Sequence, residues 1–215
     1  MTKKFRAALF DLDGVLVDTA KYHYLAWKNL AHELGFDFSE KDNERLKGVS
    51  RMRSLDILLE IGGLKFNEET RNRLAAQKNE EYVNYIRNLD ETELLPGAKE
   101  CLSELRARNV KIALGSASKN ASLILDNLKI GYLFDAVIDG NKAQRAKPDP
   151  QVFLLGAQEL GVDPADCVVF EDAEAGIQAA RAAEMYVVGV GDPDVLSAAD
   201  MVVPGLQAFD ADSLF

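Results

Sequence analysis

Phe5-Arg6-Ala7-Ala8-Leu9-Phe10-Asp11-Leu12-Asp13-Gly14 is the stretch that decides the fold. A short apolar run, 5–10, stops abruptly at two aspartates and a glycine, which reads as a buried strand followed by a turn. Downstream the pattern becomes helical. Trp27, Leu30, Ala31 and Leu34 follow the i, i+3, i+4, i+7 spacing, and Gly35 supplies a stop. Further helices are predicted over 52–61, ended by Gly62-Gly63, and over 68–89, with no strand signal between 18 and 89.

After Leu95-Pro96-Gly97 the texture changes. Short β-rich runs at 110–114, 136–138, 167–170 and 186–190 alternate with helical stretches near 98–108, 119–128, 151–160 and 174–183. Alternation of this kind implies an α/β fold, a Rossmann-like parallel sheet covered by helices on both faces. The lone strand at 5–10 belongs with that sheet, because a single strand is not stable alone. The expected organisation is a core of residues 1–17 and 91–215 with an all-helical insert at 18–90.

The composition restricts the partners. The 215 residues carry 25 basic and 35 acidic side chains, a net charge of −10, which repels nucleic acid and anionic membranes. Cys101 and Cys167 read as two reduced, packed thiols. No apolar run reaches membrane-spanning length, and Asp11 and Asp13 interrupt the apolar segment behind Lys3 and Lys4, so the reading is cytoplasmic. Gly189-Val190-Gly191 is not a dinucleotide fingerprint, since Asp194 stands where a glycine is required.

In an open parallel sheet, ligands bind beyond the carboxyl ends of the strands. Asp11 and Asp13 sit there after the first strand, Ser116 and Ser118 after 110–114, Lys147 on the loop after 136–138, and Glu171 and Asp172 after 167–170. Each has an ordinary reading as a turn, cap or surface residue. Together they form an acidic edge that calls for a cation. Mg²⁺ suits hard oxygen ligands and shares phosphate oxygens with a substrate. Beside it a carboxylate can attack phosphorus, and a second carboxyl two residues on can move the proton.

The set Asp11-Leu12-Asp13-Gly14, Ser116, Lys147 and Glu171-Asp172 resembles the four motifs of the haloacid dehalogenase superfamily, with the helical insert in the place of that superfamily's small α-helical cap. The resemblance implies Asp11 as nucleophile, Asp13 as general acid/base, and Ser116 and Lys147 on the transferring phosphoryl group. It implies Mg²⁺ on Asp11, Asp13 (through its backbone carbonyl) and Asp172, with Glu171 supporting. An aspartate at position 13 points to phosphoryl transfer rather than dehalogenation. A non-catalytic phospho-ligand binder would need neither Asp11 nor Asp13.

The insert resembles that of the phosphosugar mutases in the same superfamily. The matching residues are Asp18-Thr19-Ala20-Lys21-Tyr22-His23 with Trp27, then Lys47-Gly48-Val49-Ser50-Arg51 and Lys78-Asn79, and in the core Gly115-Ser116-Ala117-Ser118-Lys119-Asn120. That likeness implies Arg51, helped by Ser118 and Asn120, on a distal phosphate, and His23 with Lys78 assisting Asp13. Thr19 would lie in the hinge, and Trp27, Lys47, Gly48, Val49, Ser50, Ala117 and Lys119 would complete the substrate-facing set. The implied reaction interconverts β-glucose 1-phosphate and glucose 6-phosphate through an aspartyl-phosphate and β-glucose 1,6-bisphosphate, in a monomer with no macromolecular partner. The alternative is a Mg²⁺-dependent sugar phosphatase on the same core.

Overall fold

The computed structural model describes residues 4–46 and 49–215. Strand β1 (Ala7–Phe10) lies at the centre of a six-stranded parallel sheet ordered β3-β2-β1-β4-β5-β6. The other strands are β2 (Lys111–Gly115), β3 (Ala136–Ile138), β4 (Cys167–Glu171), β5 (Tyr186–Val190) and β6 (Met201–Val203). The sixth strand was not legible in the sequence: it is an edge strand in which Met201 and Val202 are only half-buried, so it lacks the buried apolar run of the central strands.

Side-chain alternation divides the core. Ala8, Phe10, Ile112, Leu114, Val168 and Phe170 pack on one face of the sheet, while Ala7, Leu9, Ala113, Val169 and Val187 pack on the other. Both faces are covered, which is why the central strands read as unbroken apolar runs. Phe10 and Phe170 stack at 4.5 Å and 4° across the first layer.

Helices α5 (Ala98–Ala107), α6 (Ala121–Asn127), α7 (Gln151–Leu160) and α8 (Glu174–Ala182) alternate with these strands. Between β1 and α5 the chain forms α1 (Ala20–Glu33), α2 (Glu40–Asn43), α3 (Arg51–Ile61) and α4 (Glu68–Ile86). Side-chain caps define three of their starts: Ser39 accepts from the Asp42 N–H, Ser50 from Arg53 and Asn67 from Thr70. These helices hold an apolar cluster of their own, including Trp27, Leu30, Leu55, Leu58 and Leu74. Tyr82 and Ile86, towards the end of α4, instead join the sheet-face cluster with Leu16 and Val17. The excursion begins and ends side by side, with Val17 bridged to Leu94 and the Leu95 N–H donating to the Leu16 carbonyl at 3.0 Å.

Candidate active site

The sheet register brings the chemistry together. Phe10 pairs with Leu114 on one side and Phe170 on the other, and Leu114 pairs with Val137. Because every strand is parallel, Asp11, Ser116 and Glu171 are delivered to one edge within a residue of the same level. The Asp11 N–H donates to the Phe170 carbonyl at 3.0 Å and the Ser116 N–H to the Ile138 carbonyl at 2.9 Å, which anchors both residues.

Lys147 is buried at that edge, its ammonium 2.6 Å from Asp11 Oδ1 and 2.5 Å from Glu171 Oε1. Burial works against the ammonium, yet the two carboxylates outweigh it and hold Lys147 above the ordinary lysine range. Glu171 is itself raised by burial, and its other oxygen accepts the Ala173 N–H at 2.9 Å. Asp11 and Glu171 therefore share one ammonium beside the open cleft.

Asp13 faces that cleft but is enclosed by protein. Burial first, and then the neighbouring Asp11 charge, raise its carboxyl from 3.8 to about 7. The Thr19 hydroxyl donates to Asp13 Oδ1. Gly14 has φ +86°, and a Cβ there would collide with the Asp172 carboxylate, so close approach and conformation both require glycine. Gly14→Ala is expected to displace Asp172 from its place on the cleft wall and lower turnover by about tenfold or more while leaving a folded protein. Circular dichroism read alongside steady-state assays checks this, and unchanged turnover would show that the close approach is unimportant.

Ser116 is fully buried, and its hydroxyl accepts the Ser118 N–H at 3.0 Å. Ser118 accepts the Asn120 N–H at 3.2 Å, so the ordinary turn role holds for both serines alongside their place on the cleft wall. Asn120 also donates to Asn79 at 2.9 Å, joining this loop to α4.

The cleft has a volume of about 1700 Å³ and is walled by sheet edge and helices alike, with Asp11, Asp13, Ser116, Ala117, Ser118, Lys119, Lys147 and Asp172 below and His23, Trp27, Val49, Ser50, Arg51 and Lys78 above. Lys78 is only 2% exposed. It contacts His23 Nδ1 at 2.7 Å, and its Nζ lies 4.7 Å from each of the Trp27 and Tyr82 ring centres. Its ammonium is therefore packed among rings and not held in bulk water. Burial, and then Arg51, lower its ammonium to about 7, and burial with Lys78 and Arg51 holds His23 well below its usual value. Arg51, at the first position of α3, is also lowered by burial. Lys47 and Gly48 lie outside the described residues.

Among the described residues, no three His, Cys, Asp or Glu side chains stand together as a metal-holding group. The expected Mg²⁺ set is Asp11, the Asp13 backbone carbonyl and Asp172 with Glu171 in support; of these side chains, Asp11 and Glu171 both bond Lys147, Glu171 also accepts a backbone N–H, and the Asp13 carboxyl accepts from Thr19. Asp11 and Asp172 remain on the cleft wall. That small, hard oxygen set fits Mg²⁺, which fills its coordination with waters and phosphate oxygens, and does not fit a soft metal.

Comparison with known proteins now bears on this geometry. The family model for haloacid dehalogenase-like hydrolases matches residues 5–184. The chain belongs to that family. Among haloacid dehalogenase-like relatives, the β-phosphoglucomutase of Bacillus subtilis is 45% identical over 92% of this chain and 88% of its own length. The fructose-1-phosphate phosphatase of Escherichia coli is 34% identical over 88% of this chain and 98% of its own. The crystal structure of β-phosphoglucomutase from Clostridium difficile superposes with a TM-score of 0.94 at 44% identity, covering 97% of this chain and 95% of that one. Among the described residues no helix is long and apolar enough to cross a membrane.

Proposed function

We propose that this chain is a β-phosphoglucomutase, with residues 1–17 and 91–215 as catalytic core and 18–90 as cap. One observation carries the reading: the cleft that holds Asp11 and Asp13 on its sheet side holds Arg51 and the Lys78–His23 pair on its helical side. A phosphatase needs one phosphate site, whereas exchange between two positions of a sugar needs two. The two β-phosphoglucomutases above support the same choice.

In the proposed cycle the Asp11 carboxylate carries the phosphoryl group, with Lys147 and Ser116 around its oxygens. Asp13 takes the proton from the 6-hydroxyl of β-glucose 1-phosphate as that oxygen attacks phosphorus and the Asp11 acyl-phosphate bond breaks. The product is β-glucose 1,6-bisphosphate. After the bisphosphate reverses in the cleft, Asp11 attacks the 1-phosphate and Asp13 returns the proton to the leaving oxygen, releasing glucose 6-phosphate. A carboxyl near 7 serves both directions at neutral pH. Asp11, the Asp13 carbonyl and Asp172 would hold Mg²⁺, which supplies charge neutralisation at the transferring phosphoryl group. Arg51, with Ser118 and Asn120, grips the phosphate that is not reacting, as a guanidinium fork suits. His23 and Lys78 face the sugar, and Trp27 and Val49 line the same cleft. The buried, unbridged Cys101 and Cys167 fit a reducing cytoplasm, and the chain acts as a monomer.

The test supplies β-glucose 1-phosphate, Mg²⁺ and a trace of the bisphosphate, and follows glucose 6-phosphate and inorganic phosphate together. Glucose 6-phosphate in large excess over free phosphate is expected, with Arg51→Ala lowering kcat/KM about 100-fold or more through loss of a buried charge-assisted contact. Free phosphate without isomerisation would make the chain a sugar phosphatase and leave the Asp11 chemistry standing.

A further inference from the structure

Lys147 has a third neighbour that the cycle leaves unused. Besides the two carboxylates, its Nζ lies over the face of the Phe153 ring, 4.8 Å from the ring centre. At that range an ammonium is attracted to the negative face of the aromatic quadrupole. Phe153 is fully buried and the lysine side chain almost so. Both are withdrawn from water, the condition under which such a contact is worth most.

The ring is held in place from two sides. Phe153 is the third residue of α7, and its side chain joins the apolar cluster of Leu9, Ala113 and Ile138 on that face of the sheet. It also packs on Gly115, the last residue of β2, where a Cβ would stand 2.9 Å from two ring carbons. That is well inside ordinary carbon–carbon contact. The ring therefore fills space that a bare glycine backbone leaves open, one residue before Ser116.

An ammonium has three N–H donors. Among the described residues, those of Lys147 meet two acceptors, Asp11 Oδ1 and Glu171 Oε1. An aromatic face attracts the charge without offering a lone pair. It can hold the ammonium and still leave the third N–H for a phosphoryl oxygen.

We propose that Phe153 is a positioning residue for phosphoryl transfer, its ring face seating the Lys147 ammonium while Asp11 gains and loses the phosphoryl group. The phosphoryl chemistry in this statement rests on the proposed function; the contact itself does not. Of the three groups around the ammonium, Asp11 changes during the cycle, because its oxygen bonds to phosphorus and its charge passes to the phosphoryl oxygens. Glu171 and the ring do not change, so they are the fixed part of the seat.

Fluorinated phenylalanines at position 153 test this. Each ring fluorine drains negative charge from the ring face at nearly constant shape. Rings with one, two and three fluorines should lower kcat for glucose 6-phosphate formation stepwise. With three, kcat should be about a tenth of the parent's, with KM within about twofold, the pattern of a group that acts on the reacting stage. The urea midpoint should fall in the same order. Lys147→Met with Glu171→Gln is the control background: with no cation over the ring, its midpoint should not follow the fluorine count. If that background does not fold, the kcat series decides alone. A kcat that ignores the fluorine count, or the same midpoint trend with and without the lysine, would overturn the proposal. Failure of the mutase reading would show separately, as absence of glucose 6-phosphate with the unaltered protein. In that case the kcat series is read on phosphate release, and the midpoint comparison, which needs no substrate, is unaffected.

Discussion

Lys147→Met should destabilise the protein by about 3–5 kcal/mol in urea unfolding at pH 7, in addition to abolishing turnover. The lysine is 3% exposed and sits between Asp11 and Glu171. Removing it strands two carboxylates in a site that water scarcely reaches, and an uncompensated buried charge costs far more than the ion pair contributes. The deficit should depend on pH in a defined direction. Stranded carboxyls titrate higher in the folded than in the unfolded chain, so the folded state binds the extra protons. The penalty therefore grows as pH rises from the unfolded carboxylate range and shrinks on acidification below about pH 4. Lys147→Met with Glu171→Gln removes one stranded charge and should recover about half of the lost stability without recovering activity. An unchanged urea midpoint in the single variant would mean that the triad carries no structural weight.

Asp13→Asn should have the opposite effect on stability. The Asp13 carboxyl is raised from 3.8 to about 7 by burial and by Asp11. Between those values the folded state holds a proton that the unfolded state has released, so this group's contribution falls as pH rises through the interval and stays low above about 7. An asparagine never ionises and escapes that loss. In Mg²⁺-free protein the variant is expected to gain about 2 kcal/mol or more at pH 8, after discounting for the part of Asp13 that faces the cleft, and almost nothing at pH 4. For a chain of this size that is a melting shift of about 5 °C. Thermal unfolding at the two pH values checks it, and equal melting of both proteins at pH 8 would show that Asp13 ionises without cost. Turnover should be lost in either case, since an amide cannot take the proton.

The distribution of legible features has a physical cause. Strands β1 to β5 announce themselves because both faces of the sheet are buried, and Asp11, Ser116 and Glu171 stand out because polar residues interrupt those apolar runs. Parallel order then places them on one edge. The partition of charge within the edge was not legible. Spacing places four carboxyl groups on one edge, and the structure adds the partners of two of them, Lys147 for Glu171 and Thr19 for Asp13. Tyr82 was hidden for a related reason. Within the helix predicted over 68–89 nothing marks it out, and only the folded chain shows it fully buried with its ring against His23. The four-residue α2 is below the length at which a helical period can be counted.

The adjoining departure and return of the chain at Val17 and Leu94 has a consequence for descent and for engineering. An excursion whose two ends are already zipped together is a cassette: its length and content can change while the same stem closes it, and the entropic cost of a longer loop grows only slowly. On the proposed function, the sheet supplies the phosphoryl handle and the cassette decides which molecule is presented to it. Exchanging 18–90 for the corresponding segment of a relative that prefers another sugar is therefore the natural route to a new substrate, with β1 and its flanking strands left untouched.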